Sequence, residues 1–214
     1  MRALAESVST KNRSYVHGYS ASVIDSHSHR TAENSAAYLL PSLRPGLTVL
    51  DLGCGAGTIT TGLAARVAPG RVIAIDIEPG VLEVARANAG RSGSGTIDFR
   101  VGDGYRLDVP DDSVDVAHAH QVLQHLDDPV AALRELARVV RPGGVIAVRD
   151  GDYGAFTWYP EHAGLTEWRD LYRAVARLSG GEPDAGRHLV AWAHAAGLTD
   201  LTATSSAWTY TRGD

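Results

Sequence analysis

Glycine occupies three alternate positions after an apolar run and an acid in Val49-Leu50-Asp51-Leu52-Gly53-Cys54-Gly55-Ala56-Gly57. At this spacing the chain can turn sharply, and a ligand can approach the backbone more closely than a side chain would permit. Nineteen residues past Gly57, at the end of a second apolar run, stands Asp76. That offset suits an acid accepting hydrogen bonds from ribose hydroxyls. A dinucleotide fingerprint would need glycine at position 58, where this chain has Thr58, so the spacing is G-x-G-x-G. Further along, His118 and His120 alternate and so face one side of a strand. His120 can serve there as a general base near neutral pH or as a structural hydrogen-bonding group.

Hydrophobic spacing gives the elements that must hold these groups. Leu47–Asp51 predicts a first strand, and Thr58 to about Val67 an amphipathic helix. Arg71–Asp76 predicts a second strand, and Pro79 opens a helix running to about Asn88. Thr96–Val101 and Val114–Ala119 predict the third and fourth strands, the latter entered through the turn cluster Asp111-Asp112-Ser113. Asp128 is placed to cap a helix with Pro129 at its first position that runs through Val140. Pro142-Gly143-Gly144 then stops it before a fifth strand at Val145–Val148.

Strands alternating with helices predict a doubly wound, mostly parallel α/β sheet with helices on both faces. Residues 1–45 predict a helical cap, with Thr31–Leu40 its best helix, and residues 46–214 the sheet-bearing part of what is one domain overall. Helices near 161–178 and 184–196, the second capped by Asp184, precede a sixth strand at Leu198–Tyr210.

A length of 214 residues with 44% hydrophobic content supports one packed core rather than a disordered chain. Runs such as Val72–Ile75 are strand-sized, and the first twenty residues hold no apolar leader, so neither a membrane partner nor secretion is expected. A net charge of −5 speaks against nucleic acid as the partner. Cys54, the single cysteine, cannot close an internal disulfide, which fits the cytoplasm. His27-Ser28-His29 has no third ligand at metal spacing, so no metal site is expected. Lys11 is the only lysine among 20 basic residues, a bias of GC-rich coding that points to a bacterial source.

The segment from Asp51 to Gly57 resembles motif I of the class I S-adenosylmethionine-dependent methyltransferases. Ala74–Pro79 resembles the second motif of that family, and Gly102-Asp103-Gly104 with Leu107–Pro110 its adenine-binding turn and acidic loop. Ser113–Val116 with Gln121–Leu126 is similar to the fourth strand and its turn, and Leu133–Gly144 to the approach to strand five. The five motifs span about residues 45–150 and are similar to those of the quinone-biosynthesis C-methyltransferases and small-molecule methyltransferases.

This resemblance implies a Rossmann-like methyltransferase sandwich with S-adenosyl-L-methionine as cofactor and S-adenosyl-L-homocysteine as product. Its implied reaction is in-line methyl transfer to carbon, oxygen or nitrogen of a small-molecule substrate, aromatic acceptors included. By the same resemblance Asp51, Gly53, Gly55 and Gly57 line the methionine moiety and sugar, and Cys54 fills a small position. Asp76 grips the ribose hydroxyls and Ile77 packs on adenine. Asp103, between Gly102 and Gly104, accepts from the adenine amino group unless an Asx-turn takes its carboxylate. His120 and Gln121 fall under the sulfonium, with His125 in the turn that follows. An early tyrosine, Tyr19, reaches the methionine end, and Arg30 suits a carboxylate of cofactor or substrate.

The turn lacks the Asn/Asp-Pro-Pro-aromatic motif of amine-directed members, again against nucleic acid. Arg149 to Tyr153, with Phe156, Trp158 and Tyr159, lies where acceptor pockets form in such sheets, unless those aromatics pack the C-terminal helices. His120, Asp152 and Tyr153 are the catalytic candidates, although displacement at a sulfonium needs a base only for a nucleophile carrying a high-pKa proton.

Two rival readings stay open. A non-catalytic S-adenosylmethionine binder would keep the loop and Asp76, and a nicotinamide-dependent oxidoreductase would share the fold despite Thr58. Arsenic methylation depends on several cysteines, and this chain has one. Family sheets end in an antiparallel seventh strand that four residues after Tyr210 cannot build. The chain is therefore expected to be a fragment or to be completed by a partner segment. Oligomeric state is left open.

Overall fold

Short runs of Val, Ile, Leu and Ala, apolar on both faces, build a sheet covered from both sides. The computed structural model describes residues 29–93 and 95–211. Strands β1 (Thr48–Leu52), β2 (Arg71–Asp76), β3 (Thr96–Val101), β4 (Val114–His120) and β5 (Val140–Arg149) are all parallel, in the order β3-β2-β1-β4-β5. The order reverses between β1 and β4, the kind of switch point beside which open α/β sheets bind ligands. There Asp51 lies opposite His118, and Leu52 opposite Ala119.

Alternate strand residues feed two cores. On one face Ile59, Leu63 and Val67 of α2 (Thr58–Val67) join Ala32, Ala36 and Leu39 over Val49, Val72 and Val116. Ala32 opens α1 (Ala32–Ser35), and α3 (Pro79–Ser92) packs beside α2. On the other face Leu133, Leu136 and Val139 of α4 (Pro129–Val139) cover Leu50, Ile73 and Ala117. Leu63, Leu133 and Leu136 are fully buried, each contributing about 2–3 kcal/mol of transfer free energy. Helices α5 (Ala163–Leu178) and α6 (Leu189–Ala195) complete the described helices, none of which is long and apolar enough to cross a membrane.

The expected doubly wound parallel sheet is observed, and α2, β2 and β3 span the expected residues. Four expectations are corrected. The helix expected over Thr31–Leu40 ends after Ser35. Thr31 and Asn34 close a capping box, Ala36 leaves helical geometry at φ −127°, and Leu39 is buried through turns instead. Pro142-Gly143-Gly144 lies inside β5 as a register irregularity, because Val114 pairs with Val140 while Val116 pairs with Val145. The expected 184–196 helix divides into a 3-10 turn at Ala185–His188 and α6, and the Asp184 side chain caps neither.

Leu198–Tyr210 is not a strand. It has no regular secondary structure and no sheet partner among the described residues, and after half-buried Leu201 its residues are exposed. Threonine, serine and alanine along it bury too little apolar surface to hold it against β5.

Candidate functional site

The glycine loop joins β1 to α2 at the switch point. Gly53, Gly55 and Gly57 all have left-handed φ, at 65°, 53° and 74°. The amides of Gly53 and Cys54 both donate to the Ile75 carbonyl, at 2.7 and 3.1 Å, tying the loop to β2. A Cβ on Gly53 would sit 2.4 Å from Val122 Cγ2, and one on Gly57 would sit 3.0 Å from the Ala85 Cβ, so these two glycines serve internal packing. Around Gly55 there is open space to 4 Å. The middle of the loop is the place where a ligand can lie against backbone. Burial, with the nearby Asp51 and Asp76 charges, raises the Cys54 thiol, so it stays protonated.

Asp51 lies beneath this loop. Its Oδ2 accepts from Thr60 Oγ1 at 2.6 Å, and its Oδ1 meets His118 Nδ1 at 2.8 Å. Both carboxylate oxygens are thus engaged by protein, so Asp51 ties Thr60 and His118 together next to the loop. His118 is fully buried, and its Nε2 has no hydrogen-bond partner among the described residues.

Asp76 ends β2 with its Oδ2 accepting from the Gly55 amide at 2.9 Å and its Oδ1 from Glu78 at 3.0 Å. Burial raises its pKa against those bonds. Beside it Ile77 and Val101 leave 58% and 57% of their surface exposed, a pair of bare apolar side chains at the sheet's carboxyl edge. Gly102 donates to the Asp76 carbonyl at 3.0 Å, and a Cβ on Gly104 would approach Leu52 to 3.2 Å. Asp103 makes the Asx-turn: its Oδ1 accepts from the Tyr105 amide at 3.0 Å, while its Oδ2 has no protein partner among the described residues.

The other half of the rim comes from β4 and β5. His120 pairs in register with Arg149, and Gln121 follows in a left-handed conformation (φ 55°), its amide donating to the Arg149 carbonyl at 2.7 Å. His125 Nε2 meets the Gln124 side chain at 3.0 Å and so fixes the turn. The Trp208 ring lies 6.0 Å from His120, with the Arg149 guanidinium at 4.6 Å and that of Arg30 at 5.7 Å from its centre. Asp150 Oδ1 accepts from the Gln124 amide at 3.0 Å, and the Val122 amide also binds this carboxylate. Its Oδ2 is buried without a hydrogen-bond partner among the described residues, and burial pushes the acid up to about 7.

Two of the catalytic candidates are held by other parts of the chain. Asp152 gives both oxygens to Arg187, at 2.7 and 2.9 Å, and anchors its loop. Tyr153 stacks on Phe156 and Tyr172 at 4.5 and 4.1 Å, so it packs α5 onto the loop after β5. His120, the third candidate, is the last residue of β4. Tyr19 lies outside the described residues. Asp150 and Trp208 belong to the rim and were not singled out from sequence. Tyr38, raised by burial and by the Asp150 charge, was missed as well. The only sequence signal for Asp150 was its place directly after the fifth strand. A pocket of about 540 Å³ between Phe156 and Arg169 holds none of these rim residues.

The fold and loop define a Rossmann-like α/β domain, and comparison with known proteins makes the class specific. Residues 50–148 match the family described as a methyltransferase domain. An uncharacterised methyltransferase of Schizosaccharomyces pombe is 35% identical over 187 residues, 84% of this chain and 66% of that protein. A protein of Aspergillus luteorubrus named as a probable methyltransferase is 38% identical over 82% of this chain and 64% of its own length. The chain thus spans just under two thirds of these relatives. Among solved structures, the YcgJ protein from Bacillus subtilis superposes with a TM-score of 0.60 at 26% identity, covering 77% of this chain and 68% of that one. The chain belongs to the class I S-adenosylmethionine-dependent methyltransferases.

Proposed function

We propose that this chain binds S-adenosyl-L-methionine across the β1–β4 switch point and transfers its methyl group to a small-molecule acceptor. The observation that carries the reading is the open space over Gly55, directly beside the buried carboxylate of Asp76. When bound, the cofactor supplies a methyl group already activated on a sulfonium. The residues fit such a molecule. Asp76 accepts from ribose hydroxyls, Ile77 and Val101 cover the adenine, and Asp103 Oδ2 is open to its amino group. Gly55 presents backbone to the aminoacyl end, held up by Asp51, Thr60 and His118. His120 and Gln121 face the transferring end, and Trp208 with Arg149 walls the acceptor side. Orientation and exclusion of water do most of the work, since the leaving group needs no acid. The acceptor is a carbon, oxygen or nitrogen nucleophile, with nucleic acid disfavoured by the acidic chain, and the setting is cytoplasmic.

Calorimetric titration tests this. S-adenosylhomocysteine is expected to bind at micromolar concentration, and Asp76→Ala to weaken it by about 100-fold through loss of two charge-assisted hydrogen bonds. Binding of NADH with no binding of S-adenosylhomocysteine would move the chain to the oxidoreductase reading.

A further inference from the structure

Among the described residues, three arginines that sink into the surface pair with acids, whereas Arg149 does not. Arg138, Arg169 and Arg173 leave only 33%, 23% and 28% of their side chains exposed, and each has an aspartate or glutamate within ion-pair distance. Arg149 is also half-buried, yet it forms no ion pair among the described residues. It donates to Ser206 Oγ at 3.1 Å and lies on the Trp208 ring at 4.6 Å. Burial pulls its guanidinium below the usual arginine range, against the favourable charges of Tyr38 and Asp150. Withdrawing a guanidinium from water without a carboxylate is costly, and a planar fork offers two parallel donors to a planar anion.

Its position says what the anion belongs to. Arg149 pairs in register with His120, the last residue of β4, and Trp208 lies against both. The Arg30 guanidinium adds a second positive charge at 5.7 Å from the same ring. The groups for the nucleoside end, the Gly55 backbone and the accepting carboxylates of Asp76 and Asp103, are gathered instead on the other side of the switch point.

We propose that Arg149 and Trp208 form a subsite for a methyl acceptor carrying a carboxylate next to a planar ring, with the carboxylate on the guanidinium and the ring on the indole. This rests on the methyltransferase reading and adds the substrate class to it. The net charge of −5 gives anions no general attraction to this protein, so the preference is local to Arg149.

The test uses protein loaded with S-adenosylhomocysteine and three acids, benzoate, 4-hydroxybenzoate and indole-3-acetate, each titrated beside its methyl ester. At least one acid is expected to bind tenfold or more tightly than its ester. Arg149→Gln is expected to erase that preference, and Arg149→Lys, which keeps the charge and loses the fork, to retain part of it. Both variants should bind S-adenosylhomocysteine as the parent does. Equal binding of acids and esters, no binding of any acid, or a preference that survives Arg149→Gln would overturn the proposal. So would a tenfold loss of S-adenosylhomocysteine affinity in Arg149→Gln, which would assign the guanidinium to the donor's own carboxylate. Failure of the parent protein to bind S-adenosylhomocysteine would count against the methyltransferase reading, and the acid–ester comparison on unloaded protein would still decide the subsite.

Discussion

Two buried aspartates sit near one another in this fold and live in opposite surroundings. Asp184 takes hydrogen bonds from Arg173 at 2.7 Å, from Arg177 at 2.7 Å and from the Gly154 amide at 2.7 Å. Burial alone would raise it, but these partners hold it down at about 2. Asp150 has backbone amides on one oxygen and no hydrogen bond on the other among the described residues, and burial pushes it up to about 7. The first is a knot that ties α5 to the loop after β5. The second sits at the carboxyl end of the sheet, directly after Arg149, which forms no ion pair among the described residues. Polar groups are saturated where the chain needs rigidity and left incomplete where a ligand is to bind.

The largest effect should come from untying the knot. Asp184→Ala leaves two guanidinium groups facing each other and is expected to lower unfolding stability by about 4 kcal/mol in urea titrations. A loss under 1 kcal/mol would mean the network is solvent-equivalent and the contrast empty. Asp150→Asn should act in the other direction. A carboxyl raised from about 4 unfolded to about 7 folded binds its proton more tightly when folded. The parent therefore loses stability as pH climbs from 4 through 7, and is flat above. The asparagine variant has no such titration and should gain about 2–3 kcal/mol on the parent between pH 5 and pH 8. A constant difference across that range would sink the assignment. Smaller again, Gly53→Ala sets a Cβ against Val122 at a φ of 65°, and should cost about 2 kcal/mol by thermal or chemical melting.

Much of the frame was legible because it depends on local pattern. Arg71–Asp76 and Thr96–Val101 are strands over the expected residues, and Gly53, Gly55 and Gly57 turn as their spacing requires. The site's polar wiring was less so, since it is made across the chain. Asp51 meets His118 through the register of β1 on β4, 67 residues away, and no local rule says that both its oxygens are consumed there. Asp152 is legible as a polar group after the fifth strand, but its pairing with Arg187, 35 residues on, is not. Trp208 was read into a strand. Its indole instead reaches back to the Asn34 carbonyl at 3.5 Å, a contact over 174 residues. Asp184 has the residue type and place of a helix cap, but two arginines one turn apart on α5 take its oxygens instead.

The central claim is that the ligand lies across the switch point, and amide NMR during titration with S-adenosylhomocysteine tests it most directly. Shifts are expected at Gly53–Gly57, Asp76–Glu78, Asp103–Tyr105 and His120–Gln121, with the segment from Phe156 to Arg169 unmoved. Perturbation centred on that segment, around its 540 Å³ pocket, with a silent glycine loop would contradict the account.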